Sequence, residues 1–510
     1  MRLIWIKRGA SEAAARVPGD PRMLSALLVL ALAASVPSPA TCVEILSLSD
    51  LHGRVAELPR IAVEIAPVRA RGPSLLLDAG DSAQGTVEST LSRGDAAVAG
   101  LAALGVNAAA LGNHDLDFGQ AAARKRIAAA PYPTLAANLR DAKTGRMPDW
   151  KNLEPSRLFR LPGGPVVGVF GLSTPSTPKQ TMPTNVEGLR FAKLAQEAER
   201  QARDLRARGA VLVIGLVHAG GNCRDLGTPD DLSSCDPRSE LFTLARALPP
   251  GLVDALVGGH THGYLGHRVN GVSLLQAGAK GEAAGWLTLC PGEPARFHLP
   301  IRRGDEKGGG AGAEDPAVRA AVAPFLASAD AERQRLVGVR LDRSLSRGRD
   351  RVSPLGATAA QAARSAMGAE IGLVNAGSLR ASLPAGDLRY GQIYEAMPFD
   401  DGLAVVRMPG ADLMAVLRAL SSWRREVPQV AGLVFDGTSA RTCAGVPIDP
   451  ARNYTVAMNE FLATGGDGVK GVLSRLPAGS ITIRPDLRLR DAALAWLKTA
   501  PASQRGLPCP

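Results

Sequence analysis

Short apolar runs that end in polar turns recur through the first half of the chain, from Val43 to about residue 290. Continuous runs of this kind, rich in leucine and β-branched residues, are typical of strands buried on both faces of a sheet. The stretches between them, such as residues 192–208, space their apolar positions with a helical period. The pattern predicts an α/β sandwich whose strands include residues 45–48, 74–77, 166–170, 211–217 and 253–257.

The apolar periodicity stops at residues 302–312, where five glycines and several charged residues stand together. Such a composition is typical of a flexible linker. Residues 317–336 regain helical spacing, and a second α/β unit is predicted from about Val337 to the end. The predicted organisation is an N-terminal α/β domain over 41–300, a glycine-rich linker with a bridging helix over 301–336, and a second α/β domain over 337–510.

Residues 1–40 are predicted to be a signal peptide. Arg22 precedes an apolar run over residues 23–34, which is too short to span a bilayer, and Ser38-Pro39-Ala40 supplies small residues for cleavage. The region before the apolar run is unusually long, and it would be shorter if translation started at Met23. The alternative to a signal peptide is a buried N-terminal helix. Pro39-Ala40-Thr41 is a poor context for lipid anchoring at Cys42. A secreted or periplasmic protein without a transmembrane segment is therefore expected.

The composition excludes several classes of protein. Of 510 residues, 45% are hydrophobic and 21% charged, which is ordinary for a globular protein and excludes a disordered or fibrous chain. The net charge of +11 could attract any anion, but basic residues alternate with acids and no basic run carries aromatics. Nucleic-acid binding is therefore not predicted.

Six cysteines fit an exported protein. Cys223 and Cys235 lie twelve residues apart in a polar loop and are predicted to form a disulfide. The sequence does not indicate how Cys42, Cys290, Cys443 and Cys509 pair.

Five polar clusters follow apolar runs in the first domain, at the strand ends where open α/β folds collect their ligands. They contain five of the seven histidines. The clusters are Asp50-Leu51-His52, Gly80-Asp81, Gly112-Asn113-His114-Asp115-Leu116-Asp117, His218 and Gly259-His260-Thr261-His262.

This mixture of side chains predicts a metal centre. Imidazole and carboxylate ligands suit Zn²⁺, Mn²⁺, Co²⁺ or Fe²⁺, whereas Ca²⁺ and Mg²⁺ prefer oxygen. Six or seven ligands are too many for one tetrahedral ion and suit two divalent ions, which need a bridging ligand. Asp81, set between small residues, is the candidate bridge.

Taken together, the five clusters resemble the motifs of the calcineurin-like metallophosphoesterases, and in particular their secreted 5'-nucleotidase branch. Asp50-Leu51-His52-Gly53 and Gly80-Asp81 followed by Gln84-Gly85 carry the likeness to that branch. The second half resembles its nucleotide-binding domain at residues 375–380, 397–399 and 465–468. The resemblance implies a four-layer αββα sandwich followed by a second α/β domain that binds nucleotide.

The resemblance also implies roles for single residues. One ion would be held by Asp50, His52, Asp81 and His262, and the other by Asp81, Asn113, His218 and His260. His114 would face the phosphate and be hydrogen-bonded by Asp117, with a further metal ligand as the alternative for His114. A positioned histidine of this kind can stabilise developing charge. Asp115 is expected to be a bystander.

In the second domain the resemblance implies that substrate is bound by Arg351, Asn375, Gly377, Arg380, Phe461 and Asp467. The arginines and Asn375 would engage phosphate and sugar, Asp467 the ribose hydroxyls, and Phe461 the base. A core position for Phe461 and a simple turn at 465–468 are the alternatives. Leu403 stands where the family often has a second aromatic ring, and the loop between Cys223 and Cys235 is an insertion that could cover or narrow the metal site.

The expected function is that of a secreted, metal-dependent phosphoric ester hydrolase. It would remove the 5'-phosphate from nucleotides, in nucleotide catabolism, by attack of a metal-bound hydroxide. A 2',3'-cyclic nucleotide phosphodiesterase or a nucleotide-sugar hydrolase is the nearest alternative, and a thiosulfohydrolase of sulfur oxidation is more distant. A binding protein with an inactive site is disfavoured because every metal position is filled. The expected partner is a small-molecule nucleotide, and the sequence leaves the oligomeric state open.

Overall fold

The computed structural model describes residues 41–226, 228–302, 312–422 and 426–509. The predicted signal peptide and residues 303–311 of the predicted linker therefore lie outside the described residues. None of the described helices is both long and apolar enough to cross a membrane.

The strands of the first half include all five predicted runs. In chain order they are β1 (Val43–Leu48), β2 (Ser74–Asp78), β3 (Ala108–Ala110), β4 (Thr134–Leu135), β5 (Leu139–Asp141), β6 (Leu153–Glu154), β7 (Ser156–Arg160), β8 (Val166–Ser173), β9 (Leu189–Phe191), β10 (Leu212–His218), β11 (Ala255–Gly258), β12 (Tyr264–Val269), β13 (Val272–Ala277), β14 (Ala283–Leu289), β15 (Arg296–Phe297) and β16 (Ile301–Arg302).

Helices separate many of these strands. They are α1 (Leu58–Arg69), α2 (Val87–Leu91), α3 (Asp95–Leu104), α4 (Gly119–Ala129), α5 (Thr177–Gln180), α6 (Leu194–Ala207), α7 (Glu240–Ala247) and, after the linker, α8 (Pro316–Gln334). The helical spacing expected over 192–208 and 317–336 corresponds to α6 and α8.

Two sheets stack face to face in the first half. One has the order β15-β14-β1-β2-β3-β4-β6, with β16 also paired to β14, and the other has the order β12-β13-β11-β10-β8-β7. Their central strands are parallel, as in β1–β2 and β8–β10. Ile45 and Leu77 of one sheet share a buried cluster with Val169 and Ile214 of the other. Because α1 and α3 cover the first sheet and α6 and α7 the second, the arrangement is the expected αββα sandwich.

The second half is built around one mixed sheet of five strands, with two separate strand pairs, β17–β19 and β22–β23. The strands of this half are β17 (Leu336–Leu341), β18 (Ile371–Val374), β19 (Gly386–Arg389), β20 (Gly402–Pro409), β21 (Gln429–Ala431), β22 (Leu433–Phe435), β23 (Ala440–Thr442), β24 (Asn453–Asn459) and β25 (Ile481–Arg488). Its helices are α9 (Pro354–Ala366), α10 (Tyr390–Ala396), α11 (Gly410–Ser422), α12 (Glu460–Ala463), α13 (Lys470–Leu473) and α14 (Leu489–Thr499).

The order of that sheet is β21-β18-β24-β20-β25. Helices α9 and α14 pack on one face and α11 and α12 on the other, each pair over its own apolar cluster. The second half is therefore an α/β/α domain. Helix α8 buries Val318 and Val322 against α1 and α3, so it belongs to the packing of the first half. The domain limits at residues 300 and 336 stay predictions.

Three disulfides tie the chain. Cys223–Cys235 is the predicted one, so that prediction is confirmed. Cys42–Cys290 joins residues 248 positions apart, and Cys443–Cys509 fastens the C-terminal segment. A sulfur in a disulfide cannot carry a lipid, which agrees with the expectation for Cys42.

Candidate active site

The polar clusters meet where strands of both sheets end. Asp50, Asp81 and Asn113 follow β1, β2 and β3 of the first sheet, whereas His218 ends β10 and the His260–His262 segment follows β11 of the second. The carboxyl ends of parallel strands lie at one edge of a sheet, so stacking the two sheets brings both groups of side chains together.

The loops that carry these side chains have unusual backbone conformations. Five of the seven candidate ligands have left-handed φ angles: Asp50 (52°), His52 (49°), Asp81 (58°), His260 (74°) and His262 (61°). Such angles are rare outside glycine and concentrate at functional sites. Gly112 explains the close approach of two loops, because a Cβ there would lie 2.2 Å from Asp81 Oδ1.

Three of the four members of the first expected ligand set are brought together, namely Asp50, His52 and His262. His52 Nε2 lies 3.0 Å from His262 Nε2, and His262 Nε2 lies 3.5 Å from Asp50 Oδ1. The three ligand atoms fall within 4.8 Å of one another.

The second set is equally compact. His218 Nε2 lies 3.1 Å from Asp81 Oδ2, 3.1 Å from Asn113 Oδ1 and 3.2 Å from His260 Nδ1. Asp81, His218 and His260 also fall within 4.8 Å of one another.

The hydrogen bonds of two imidazoles test whether these sets fit metal ions. His52 Nδ1 faces the carbonyl of Gln84 at 3.1 Å, and His218 Nδ1 faces the carbonyl of Ala79 at 2.8 Å. Each Nδ1 must therefore donate, which leaves the lone pair of Nε2 pointing into the cluster. Arg380 Nη2 donates to His52 Nε2 at 3.1 Å, which is possible only when Nε2 carries a lone pair. The donor set fits divalent cations.

The charges of the cluster also favour a cation. Burial raises the pKa of Asp50 to about 7. Burial acts in the same direction on Asp81, but the imidazoles of His218, His114 and His52 hold its pKa well below the ordinary value. Although burial lowers the pKa of His218, Asp81 raises it to about 10. Positive charge is stabilised between these side chains.

His114 and Asp117 form the expected pair. His114 Nδ1 lies 2.7 Å from Asp117 Oδ2, and both side chains are close to nine-tenths buried. Burial raises the pKa of Asp117, which the adjacent His114 opposes. The backbone N–H of His114 donates to Asp81 Oδ1 at 2.7 Å, so the pair is bound directly to a candidate metal ligand.

The expectation that Asp115 is a bystander is wrong. Its Oδ1 accepts the backbone N–H groups of Ser82 and Ala83, and its Oδ2 accepts those of Asp81 and Gly112, all at 2.9–3.1 Å. A carboxylate that accepts four backbone donors fixes two loops against each other. Asp115 therefore holds the loop of Asp81 beside the loop of Asn113.

A cavity of about 1270 Å³ joins the cluster of candidate metal ligands to the second domain. Of the expected substrate residues, Asn375, Gly377, Arg380, Phe461 and Asp467 line it. Asn375 Nδ2 donates to Asp467 Oδ2 at 2.7 Å, and Ser378 Oγ donates to Asn375 Oδ1 at 2.5 Å. Phe461 is 8% exposed and packs against Gly466, so most of its ring belongs to the core and only part faces the cavity.

Two expectations for the second domain need correction. Arg351 is exposed and does not line the cavity, whereas Arg347 and Arg349 of the same loop do. Leu403 is fully buried in the core beneath α9 and α14, so its side chain does not stand beside a bound base. In both cases the direction of the side chain depends on the path of the backbone.

Phe399, in the Met397-Pro398-Phe399 motif, also lines the cavity. Its ring centroid lies 5.4 Å from that of His114, with the two planes inclined by 30°. The Met397-Pro398-Phe399 motif was the available signal, but it does not show which way the ring points.

The two ends of the inserted loop line the cavity, and the described part of the loop between them does not cover it. Asn222 and Asp236, the outer neighbours of the two cysteines, line the wall, whereas the described residues between the cysteines do not. The backbone N–H of Asp236 donates to the carbonyl of Asn222 at 2.8 Å. The disulfide thus closes a loop whose ends lie beside the metal cluster.

Two family models match the chain: calcineurin-like phosphoesterase over residues 43–264, and 5'-nucleotidase C-terminal domain over residues 328–474. A 5'-nucleotidase from Vibrio cholerae serotype O1 is 26% identical over 518 residues, covering 88% of this chain and 90% of that protein.

Two solved structures share the fold. The 5'-nucleotidase precursor from Thermus thermophilus has a TM-score of 0.74 at 24% identity, covering 90% of this chain and 96% of that chain. The sulfate thiohydrolase SoxB from Thermus thermophilus, in complex with glycerol, has a TM-score of 0.70 at 19% identity, covering 91% and 94%. The chain belongs to the calcineurin-like phosphoesterases that carry a 5'-nucleotidase C-terminal domain.

Proposed function

We propose that this protein removes the 5'-phosphate from nucleotides and releases a nucleoside and inorganic phosphate. The observation that carries the proposal is the single cavity with two chemically different walls. Asp81, His260 and His262 lie on one wall, and Asn375 and Asp467 on the other. A 5'-nucleotide could place its phosphate at the first wall and its sugar and base at the second.

We propose that the cluster holds two divalent ions in the two expected sets, with Asp81 shared between them. Asp81 Oδ2 lies 3.1 Å from His218 Nε2 of the second set, and Asp81 also interacts electrostatically with His52 of the first, which supports this bridging position. Zn²⁺, Mn²⁺, Co²⁺ and Fe²⁺ suit the donors. When bound, such a pair supplies Lewis acidity and a nucleophile at neutral pH.

His114 is proposed to act on the reacting phosphate. Asp117 holds Nδ1 at 2.7 Å, so the opposite nitrogen, Nε2, is free to donate a proton or hydrogen bond to a phosphate oxygen. A hydrogen bond donated from Nε2 would stabilise the negative charge that develops on the phosphate during transfer.

Basic residues are proposed to bind the phosphate. Arg380 lies against His52, and Arg347 and Arg349 line the same cavity. Burial lowers the pKa of nearby Lys280 to about 8, and the charges of Arg54, Arg380 and Arg347 act in the same direction, so several positive charges lie close together here. Guanidinium groups suit phosphate oxygens because they donate in pairs.

The residues of the second domain are proposed to hold the nucleoside. Asp467 would accept hydrogen bonds from ribose hydroxyls, with Asn375 holding its carboxylate in place. The exposed part of Phe461 would contact one face of the base. We also propose that residues 1–40 direct export, because three disulfides suit an oxidising compartment.

Hydrolysis assays on metal-reconstituted protein test the proposal. AMP and UMP should be cleaved to nucleoside and phosphate faster than 2',3'-cyclic AMP, UDP-glucose and bis(p-nitrophenyl) phosphate, and a sulfur-linked sulfate ester should be inert. Preferred cleavage of a diester or of the sulfur substrate would replace the proposal by one of those activities.

A further inference from the structure

A buried histidine lies beside the disulfide of the inserted loop. His267, on β12, is fully buried, and its Nδ1 lies 3.8 Å from Cys223 Sγ. The sulfurs of Cys223 and Cys235 and one ring nitrogen of His267 all fall within 4.8 Å of one another. Among the residues that the structure describes, none is a hydrogen-bond partner of His267 Nε2. Burying a polar atom without a partner is costly, so packing alone does not account for a histidine here.

The surroundings of His267 favour an uncharged ring while the disulfide is intact. The backbone N–H of Gly266 donates to Nδ1 at 3.4 Å, so Nδ1 carries the lone pair on the side of the sulfur. Burial lowers the pKa of His267, and the loop carboxylates of Asp225 and Asp231 oppose this. A thiolate at Cys223 would add a negative charge beside Nδ1 and favour protonation there.

The disulfide closes the neck of the inserted loop at the edge of the cavity. Cys223 and Cys235 lie opposite each other as an isolated antiparallel bridge. Their outer neighbours, Asn222 and Asp236, line the cavity and are joined by a backbone hydrogen bond of 2.8 Å. None of the seven candidate metal ligands belongs to the loop, so opening the disulfide would loosen the cavity wall and leave those ligands in place.

We propose that the Cys223–Cys235 disulfide is a site of reversible thiol–disulfide exchange with a small dithiol, and that His267 is the acid–base group of this exchange. The chemistry at the sulfurs does not depend on the proposed function. Its effect on catalysis rests on that function, because the loosened wall carries cavity residues. Protein with this disulfide open should have a higher KM for AMP than oxidised protein, with unchanged metal content.

The exchange transfers two electrons and two protons to the protein. A thiolate of the dithiol attacks Cys235 Sγ, the bond between the two cysteine sulfurs breaks, and Cys223 leaves as a thiolate. His267 takes up a proton at Nδ1 and donates a hydrogen bond to Cys223 Sγ. The second thiolate of the dithiol attacks the dithiol's own sulfur in the mixed disulfide and releases Cys235, which takes a proton from water, and the dithiol becomes a disulfide. A sulfur whose thiolate is stabilised leaves faster, which is the advantage that His267 supplies.

Limited reduction with dithiothreitol, followed by alkylation and mass mapping, tests the inference on the complete oxidised protein. Cys223–Cys235 should open before Cys443–Cys509, although Cys443 is exposed and Cys223 only partly so. Once this disulfide is open, Cys223 should be alkylated faster than Cys235 below neutral pH, because the imidazolium keeps the pKa of the Cys223 thiol below its ordinary value. The same material should hydrolyse AMP with a KM raised several-fold.

His267→Leu removes the imidazole and keeps a buried apolar side chain. It should slow the opening of Cys223–Cys235 about 10-fold or more and abolish the faster alkylation of Cys223. The opening of Cys443–Cys509 should not change. His298→Leu is the matched control, because burial also lowers the pKa of His298 but its ring stacks on Trp286, with 3.7 Å between the centroids. In this control Cys223–Cys235 should open at the wild-type rate.

Two outcomes would overturn the inference. Opening of Cys443–Cys509 before Cys223–Cys235 would show that exposure alone controls reduction. Equal alkylation of Cys223 and Cys235 in the wild type would show that His267 does not act on the thiol, and this result holds even if His267→Leu does not fold. Failure of the proposed function looks different: the oxidised protein would not hydrolyse AMP, while the order in which the disulfides open would stay the same.

Discussion

At the scale of single residues, the site depends on side chains held in conformations that the free chain avoids. Left-handed backbone at Asp50, Asp81 and His260 costs roughly 1–3 kcal/mol each, so the surrounding hydrogen bonds must offset it. The carboxylate of Asp50 accepts the backbone N–H of His260 through both oxygens at 2.9–3.0 Å, and Asp115 accepts four further N–H groups. The positions of the candidate ligands therefore depend on one of their own number, Asp50, and on Asp115, which does not line the cavity.

Asp115→Asn should weaken both the fold and the site. In the wild type, each carboxylate oxygen of Asp115 accepts two backbone N–H groups. In the variant, the amide nitrogen would replace one of these oxygens and could not accept from them. Each hydrogen bond to a charged group is worth about 1.5–3 kcal/mol. We expect a loss of about 3 kcal/mol or more in the free energy of unfolding and a lower metal content, measured by denaturation and elemental analysis. The surface variant Asp95→Asn is the control, and equal behaviour of the two would show that Asp115 has no anchoring role.

Asp81→Ala should remove the ligand proposed to be shared by both ions. Activity on every phosphate ester should be abolished, while the fold survives because the site lies on loops. Elemental analysis should give fewer than two ions per chain, and treatment of the wild-type protein with a chelator should reproduce the loss of activity. Two retained ions with near-normal turnover would contradict the shared position.

At the scale of elements, short connections between helices and strands carry much of the site. The connection between α10 and β20 holds Phe399 beside His114 and places the buried Asp401 next to Asn459 at the end of β24. The inserted loop after β10 begins and ends at cavity residues. Rigid strands fix the ends of these connections, and buried hydrogen bonds fix the segments between.

Asp401 should make stability depend on pH. Burial raises its pKa to about 7, with a hydrogen bond from Asn459 opposing this. In the unfolded chain the pKa of Asp401 is near 3.9, so the native state binds more protons than the unfolded state between about pH 4 and 7. The contribution of Asp401 to the free energy of unfolding therefore falls as the pH rises through that window. The difference corresponds to roughly 4 kcal/mol at most.

Asp401→Asn should therefore gain stability relative to wild type between pH 4.5 and pH 8, as measured by denaturant unfolding at both values. Asp387→Asn, at an exposed ion pair with Arg340, should show no such change. A difference between wild type and Asp401→Asn that is independent of pH would mean that Asp401 is ionised in the native state throughout.

The Cys223–Cys235 disulfide should hold the cavity wall in place. Replacing both cysteines by serine frees the loop and with it Asn222 and Asp236, while the candidate ligands on β10 and β11 remain. We expect normal metal content and a KM for AMP that is raised several-fold. The double substitution of Cys443 and Cys509 by serine is the control, and it should leave KM unchanged. Mass mapping without reduction should recover the 223–235 pair in wild type.

At the scale of the whole molecule, the cavity combines residues from both halves of the chain. Direct contacts fasten the halves near the site: Arg54 pairs with Glu395 at 2.9 Å, Gln84 donates to the carbonyl of Pro398, and Lys280 Nζ donates to the carbonyl of Arg380 at 3.4 Å. The candidate metal ligands and the cavity residues of the second half face each other in this arrangement. Substrates with and without a base should therefore respond differently to changes in the second half.

Phe461→Leu tests the nucleoside wall while keeping core volume. Stacking on a base is worth about 1–3 kcal/mol, so KM for AMP should rise about 5- to 100-fold, whereas KM for p-nitrophenyl phosphate should not change. Phe435→Leu is the matched control, because Phe435 is also 8% exposed and lies in the same apolar cluster but does not line the cavity. Equal KM values for the two variants would assign Phe461 to the core alone.

The sequence by itself determined the α/β fold of both halves, and it identified the polar residues that the structure brings together at the strand ends. Apolar runs of strand length are local signals, and in parallel sheets the polar residues after them must gather at one edge. The His114–Asp117 pair is also local, because three residues separate its members.

Only the tertiary structure decided the contacts between distant segments. Asp115 meets loop residues 32–34 positions away, Arg490 meets Phe399 across 91 positions, and Cys42 pairs with Cys290 across 248. Arg349 faces the cavity and Arg351 does not, and Leu403 faces the core. These directions depend on the side of the backbone from which each side chain projects. A shift of one residue reverses that side, so it is fixed by strand register and loop path, which local sequence does not specify.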